Sequence, residues 1–110
     1  MITRNLELRT GDLEPDLVLD IIARDPLTNI RGPVDFTLAT AVRVIGRKNG
    51  ATFIDRPGIG DPNGVVQMSW ITADTLTPGT ITFEVEAMWP GNRPQTFRAD
   101  NKVVIYPDLA

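Results

Sequence analysis

The chain has 110 residues, 42% of them hydrophobic and 23% charged, and a net charge of −3, so one globular domain with a single core is expected over residues 1–110. It has neither cysteine nor histidine, which excludes disulfides, thiolate metal sites and the Ser-His and Cys-His nucleophile systems. The acidic balance argues against nucleic-acid binding, and no apolar run approaches the roughly 20 residues of a membrane-spanning helix.

Leu6 and Leu8 alternate with polar neighbours and predict a first strand over about residues 4 to 10. The segment Met1 to Asp12 lacks the apolar core of a signal peptide. After the turn at Gly11-Asp12, residues 16 to 24 alternate again. Leu17, Leu19, Ile21 and Ala23 form one face, while Val18 and Ile22 make the other less polar than a solvated strand requires. Asp25-Pro26 ends this strand, Asn29 to Pro33 reads as loop, and Val34 to Phe36 is expected to pair briefly.

A longer strand follows over about Ala39 to Arg47, with Val42 and Val44 inward and Arg43, Ile45 and Arg47 outward. Asn49-Gly50 is a strong two-residue hairpin signal because both positions tolerate positive φ. It leads into Thr52-Phe53-Ile54. The Gly- and Pro-rich segment 55 to 64 is expected to be one long loop that presents Ile59.

Residues 64 to 89 carry the clearest pattern. Val66, Met68 and Trp70 share one face of a strand, and Ile81, Phe83, Val85 and Ala87 share one face of the next. A short polar turn with Pro78-Gly79 joins them, including one helical turn over Thr72 to Leu76 that Thr72 or Asp74 would cap. Pro90 to Pro94 forms a further turn. Gln95 to Arg98 and Lys102 to Tyr106 supply the last strand, interrupted by a bulge at Ala99-Asp100-Asn101. Seven to eight short strands at regular spacing predict an all-β, immunoglobulin-like antiparallel β-sandwich.

Polar clusters have ordinary readings. Asp12, Glu14, Asp16 and Asp20 form an acidic run that suits a solvated surface better than acid–base catalysis. Asp55, Asp61 and Asn63 offer oxygen ligands, but their spacing is not that of a calcium loop. Gly58-Ile59-Gly60 has no helix start or lysine to make it a phosphate cradle. No catalytic, metal or cofactor site is therefore assigned.

Candidate partner-binding residues fall into three groups. Trp89 sits at a hairpin end with Met88 and Arg93, and either presents a hot spot or folds back over the end of the sandwich. Arg43, Ile45 and Arg47 project from one strand face, with Val18 and Ile22 expected on a neighbouring strand. Ile59 stands in the Gly-rich segment.

The strand start Gly64-Val65-Val66, the polar turn Thr72-Ala73-Asp74-Thr75, Pro78-Gly79, the alternating run Thr82 to Ala87 and the segment Gln95-Thr96-Phe97 resemble a family of phage virion domains. The family is typified by the N-terminal domain of baseplate upper proteins. Pro33-Val34-Asp35-Phe36-Thr37 is similar to the family's Asp-Leu-Thr turn, and the resemblance spans residues 12 to 106. It implies a non-enzymatic virion protein, assembled in the host cytoplasm, that docks to other virion proteins as a homo-oligomer or on assembly. Fuller members continue into parts that hold receptor-binding proteins, so the short length here implies a tail, baseplate, neck or capsid accessory role. The alternative is a carbohydrate- or cell-surface-binding module that stacks a sugar on Trp89, with Asp61 and Asn63 as hydrogen-bonding or calcium-linked partners.

Overall fold

The computed structural model describes residues 5–24 and 27–107. Among these the chain forms ten strands: β1 (Leu6–Arg9), β2 (Leu17–Asp20), β3 (Ile22–Arg24), β4 (Arg31–Pro33), β5 (Ala41–Lys48), β6 (Ala51–Pro57), β7 (Ile59–Gly60), β8 (Val65–Met68), β9 (Gly79–Trp89) and β10 (Arg93–Tyr106). A five-stranded sheet has the order β1-β10-β9-β5-β6, a three-stranded sheet the order β2-β8-β7, and β3 pairs with β4 alone. The all-β expectation holds. The count is ten rather than seven to eight, and the sheets are not purely antiparallel, because β1 runs parallel to β10 from Leu6↔Val103 to Arg9↔Tyr106. A period of two looks the same in either direction of pairing.

The core lies between the two larger sheets. The predicted inward sets are buried: Leu17, Leu19 and Ile21 from the small sheet's side, with Val66, Met68 and Trp70, face Val44, Ile81, Phe83, Val85 and Ala87 of the large sheet. Trp70 meets Phe83 edge-on at 6.4 Å between ring centroids, and its indole N–H donates to the Pro15 carbonyl at 3.0 Å. A buried indole thus keeps its hydrogen bond, as burial of that group requires.

Several expected boundaries move. The strand expected over residues 16 to 24 divides at Ile21, whose N–H leaves the β8 ladder for the Gly64 carbonyl while its own carbonyl accepts from Val34 N–H. Part of the expected loop at Asn29 to Pro33 is β4, and Val34 to Phe36 is no strand. Residues 25 and 26, where the strand over residues 16 to 24 was expected to end, lie outside the described residues.

The expected loop over 55 to 64 is strand for half of its length, shared between β6 and β7. Here the chain passes from one sheet to the other through a gap that admits only glycine. A Cβ on Gly58 would lie 2.8 Å from Val44 Cγ2, and one on Gly60 would lie 2.8 Å from Phe36 Cβ. These glycines serve close packing, and Gly64, with φ of +80°, serves the turn that follows.

The two strands of residues 64 to 89 are not a hairpin. β8 pairs with β2 and β7, and β9 with β5 and β10. The connection crosses between sheets by way of a 3₁₀ turn at Thr72–Asp74. Asn49 and Gly50, at φ of 53° and 79°, close the β5–β6 hairpin as expected.

Polar ties join the sheets. Arg56 on β6, opposite Val44, points inward and forms a two-pronged ion pair with Asp74 of the crossover, with Nη1 to Oδ1 at 3.1 Å and Nη2 to Oδ2. Asp74 Oδ2 also accepts from Ile71 N–H at 2.9 Å, at the start of the 3₁₀ turn. The Asp74 side chain is only 5% exposed and that of Arg56 25%. Removing one partner of such a pair strands a desolvated charge, whereas replacing both is far milder. Asp74→Leu should therefore lower unfolding free energy by about 2–4 kcal/mol, and Arg56→Met with Asp74→Leu should recover at least half of it, by urea denaturation. Equal losses in the single and double variants would mean that the ion pair does not govern this joint.

Candidate functional site

The expected partner-binding residues occupy three separate places. At the first, β9 and β10 meet in a three-residue turn that pairs Trp89 with Arg93. Trp89 folds back over the sandwich end: its ring stacks on Phe36 at 6.3 Å and 3° between planes, and its N–H donates to Gln95 Oε1 at 2.9 Å. Phe36 in turn meets Phe97 edge-on at 5.9 Å. The exposed Arg93 donates from Nε to the Pro90 carbonyl, which fastens the turn. Met88 is half-buried, and its carbonyl accepts from both Thr40 N–H and the Thr40 hydroxyl. One face of the indole is thus occupied by Phe36.

At the second place, Arg43, Ile45 and Arg47 stand on the outer face of β5 as predicted, with acids on both sides. Arg43 Nε pairs with Asp55 Oδ1 of β6 at 2.8 Å, and Arg47 Nε with Glu84 Oε1 of β9 at 2.8 Å. Arg47 also donates to the Thr52 hydroxyl at 3.0 Å. The cations are thus held within the chain by cross-strand partners. Val18 and Ile22 do not join them, because β2 and β3 belong to other sheets.

The third place is the outer face of the small sheet. The pairings Val18↔Gln67 and Ile59↔Gln67 set Val18, Gln67 and Ile59 in one row across it. Ile59 is 77% exposed, and Ile71 nearby is 51% exposed. At the margin of this face, where the inward-facing Met68 and Arg56 also reach the surface, Pro57, Ile59 and Ile71 line a groove of about 430 Å³, with Asp16 and Gln67 at its walls. This face joins Ile59 to Val18, two residues that sequence patterning treats separately. Alternation flags each as out of place but does not pair their strands.

The oxygen-bearing residues of the 55 to 64 segment do not converge. Asp55 is held by Arg43, while Asp61 Oδ1 accepts from Asn63 N–H and Val65 N–H and so closes the turn into β8. Among the described residues no group of three or more acidic, His or Cys side chains is placed to hold a metal ion. No family model, curated protein or solved structure matches the chain.

One carboxyl is perturbed. The Thr37 hydroxyl, and after it the Thr37 N–H, donate to Asp35 Oδ1 and hold that carboxyl below its ordinary value. A depressed carboxylate contributes stability above its unfolded-state pKa, and loses it as pH falls through the folded value. The Asp35 side-chain carbon should therefore titrate by NMR below the ordinary carboxylate midpoint, and Thr37→Val should move that midpoint upward. A midpoint unmoved by Thr37→Val would refute the assignment to the hydroxyl.

Proposed function

We propose that this chain is an immunoglobulin-like β-sandwich that serves as a non-enzymatic structural protein of a phage particle, docking to neighbouring subunits that include further copies of itself. The strand order supports the finer fold reading. The last strand pairs with its predecessor, which pairs with β5, while β2 and β8 lie together in the facing sheet, the division expected of such sandwiches. The first strand sits beside the last rather than beside β2, so the match is to the arrangement and not to every pairing. The segments that resemble the baseplate-associated virion family support the placement in a particle.

The observation that carries the docking reading is the outer face of the small sheet. Ile59 and Ile71 stand in water beside a groove, Val18 lies in the same row as Ile59, and Asp16 and Gln67 supply a polar surround. An apolar centre within a polar rim is the usual anatomy of a protein interface. Burying Ile59 against a partner would stabilise the contact by about 1.5–3 kcal/mol, enough for one residue to shift assembly measurably. Symmetric particles repeat such contacts in closed rings.

Light scattering across a concentration series should give a discrete oligomer, and Ile59→Asp should dissociate it without lowering the melting temperature. A strict monomer at every concentration would refute self-assembly through this face. An oligomer indifferent to Ile59→Asp would place the contact elsewhere.

A further inference from the structure

The β10 bulge opens a second concavity on the opposite side of the molecule. Pairing between β9 and β10 runs regularly to Arg98↔Glu84 and resumes at Lys102↔Thr82. The last strand thus spends four residues where its partner spends two. Bulges of this kind re-aim side chains and recur beside functional sites.

The arch is anchored. Ala99 and Asn101 are buried, and Asn101 Oδ1 accepts from Asp20 N–H of β2 at 3.2 Å, across the sandwich. Lys102 N–H is held by Asn5 Oδ1 at 3.2 Å. The opening is therefore part of the fold, fixed on both sides of its extra residues.

Its walls are chemically distinctive for an acidic chain. The concavity measures about 660 Å³, in the range that small ligands occupy. Arg47, Arg98 and Lys102 line it, against Glu84 and Asp100. Glu84 is already engaged by Arg47, whose guanidinium is further held by Thr52. Among the described residues, the Arg98 guanidinium and the Lys102 ammonium have no hydrogen-bonding or ionic partner. Thr82 and Thr96 add hydroxyls from adjacent strands. Two uncommitted cations with a hydroxyl beside each, Thr82 opposite Lys102 and Thr96 two residues before Arg98, in a space larger than a simple anion fills, suit an acid group on a polyhydroxylated body.

We propose that this concavity binds an acidic saccharide, with Arg98 and Lys102 on its carboxylate or sulfate and Thr82 and Thr96 on its hydroxyls. The site is distinct from the docking face and does not depend on it. It also differs from a sugar platform at Trp89, since Trp89 lies at the far end of the β9–β10 ladder.

The test is an amide NMR titration of the intact chain with a sulfated uronic-acid disaccharide prepared from chondroitin sulfate. Shifts are expected at Thr82, Glu84, Thr96 and residues 98–102. Arg98→Gln with Lys102→Gln should weaken binding about tenfold or more while leaving the melting temperature unchanged. Should that variant not fold, Thr82→Val gives a milder second reading of the same site, with a smaller loss expected. Arg93→Gln, at the other end of the ladder, should leave binding intact. Intact chondroitin sulfate distinguishes the sources: binding of polymer and disaccharide alike assigns a polysaccharide, and binding of the disaccharide alone a free sugar acid. Absence of shifts at these residues overturns the site. Sodium sulfate binding as tightly as the disaccharide overturns the saccharide, and maltose binding as tightly overturns the role of charge.

Discussion

The ion pair between Arg56 and Asp74 is the constraint on which the two sheets depend. Alternation along β6 turns Arg56 toward the interior, opposite Val44, where a guanidinium is tolerated only with a fixed partner. That partner comes from the crossover linking β8 of the small sheet to β9 of the large one. Because Asp74 also holds Ile71 N–H, the same carboxylate shapes the 3₁₀ turn that steers the chain into β9. Strand β9 then supplies Ile81, Phe83, Val85 and Ala87 to the core. One pair thus ties an outer strand, the intersheet connection and the central strand together. The opposite margin has a lighter counterpart, in which Asn101 reaches from the β10 bulge to the β2 backbone.

Much of this was legible in the sequence, and what was not has a physical reason. The inward faces of β2, β5, β8 and β9, the Asn49-Gly50 hairpin and the bulge at residues 99–101 all follow from alternation and turn chemistry. Alternation reports which side of a strand faces the core, but not which strand lies beside it. Hence β8 and β9 look like a hairpin although they lie in different sheets, and β1 gives no sign that it runs parallel to β10. Gly58 and Gly60 mislead for another reason. Glycine marks both mobile loops and points of closest approach, and only the positions of Val44 and Phe36 tell which applies.

The same limit explains the candidate sites. Arg43 and Arg47 stand out in the sequence as exposed cations, yet their acids, Asp55 and Glu84, come from the strands on either side. Trp89 stands out as an aromatic at a turn, and its stacking partner Phe36 lies before β5. Arg98 and Lys102 attract no notice. Four positions apart on a regular strand they would stand about 13 Å from each other. The bulge sets them opposite residues only two apart on β9, a separation of about 7 Å along that strand. A sequence can announce a bulge without announcing what the bulge gathers.

The two proposed surfaces make opposite use of one scaffold. The docking face lies outside the small sheet, where a short edge strand presents Ile59 and the groove beside it is mostly apolar. The anionic-ligand concavity lies outside the large sheet, where paired and unpaired cations share a polar surface. The packed core separates them, so neither needs the other's residues and both can be occupied together. What they share is the anchoring of their backbones: Gly58 and Gly60 fix the approach to Ile59 by close packing, and Asn101 fixes the arch between Arg98 and Lys102 by its bond to β2. Each exposed residue is carried by a neighbour that the core holds still. A sandwich built this way can keep two chemically unlike faces without sacrificing the packing between its sheets.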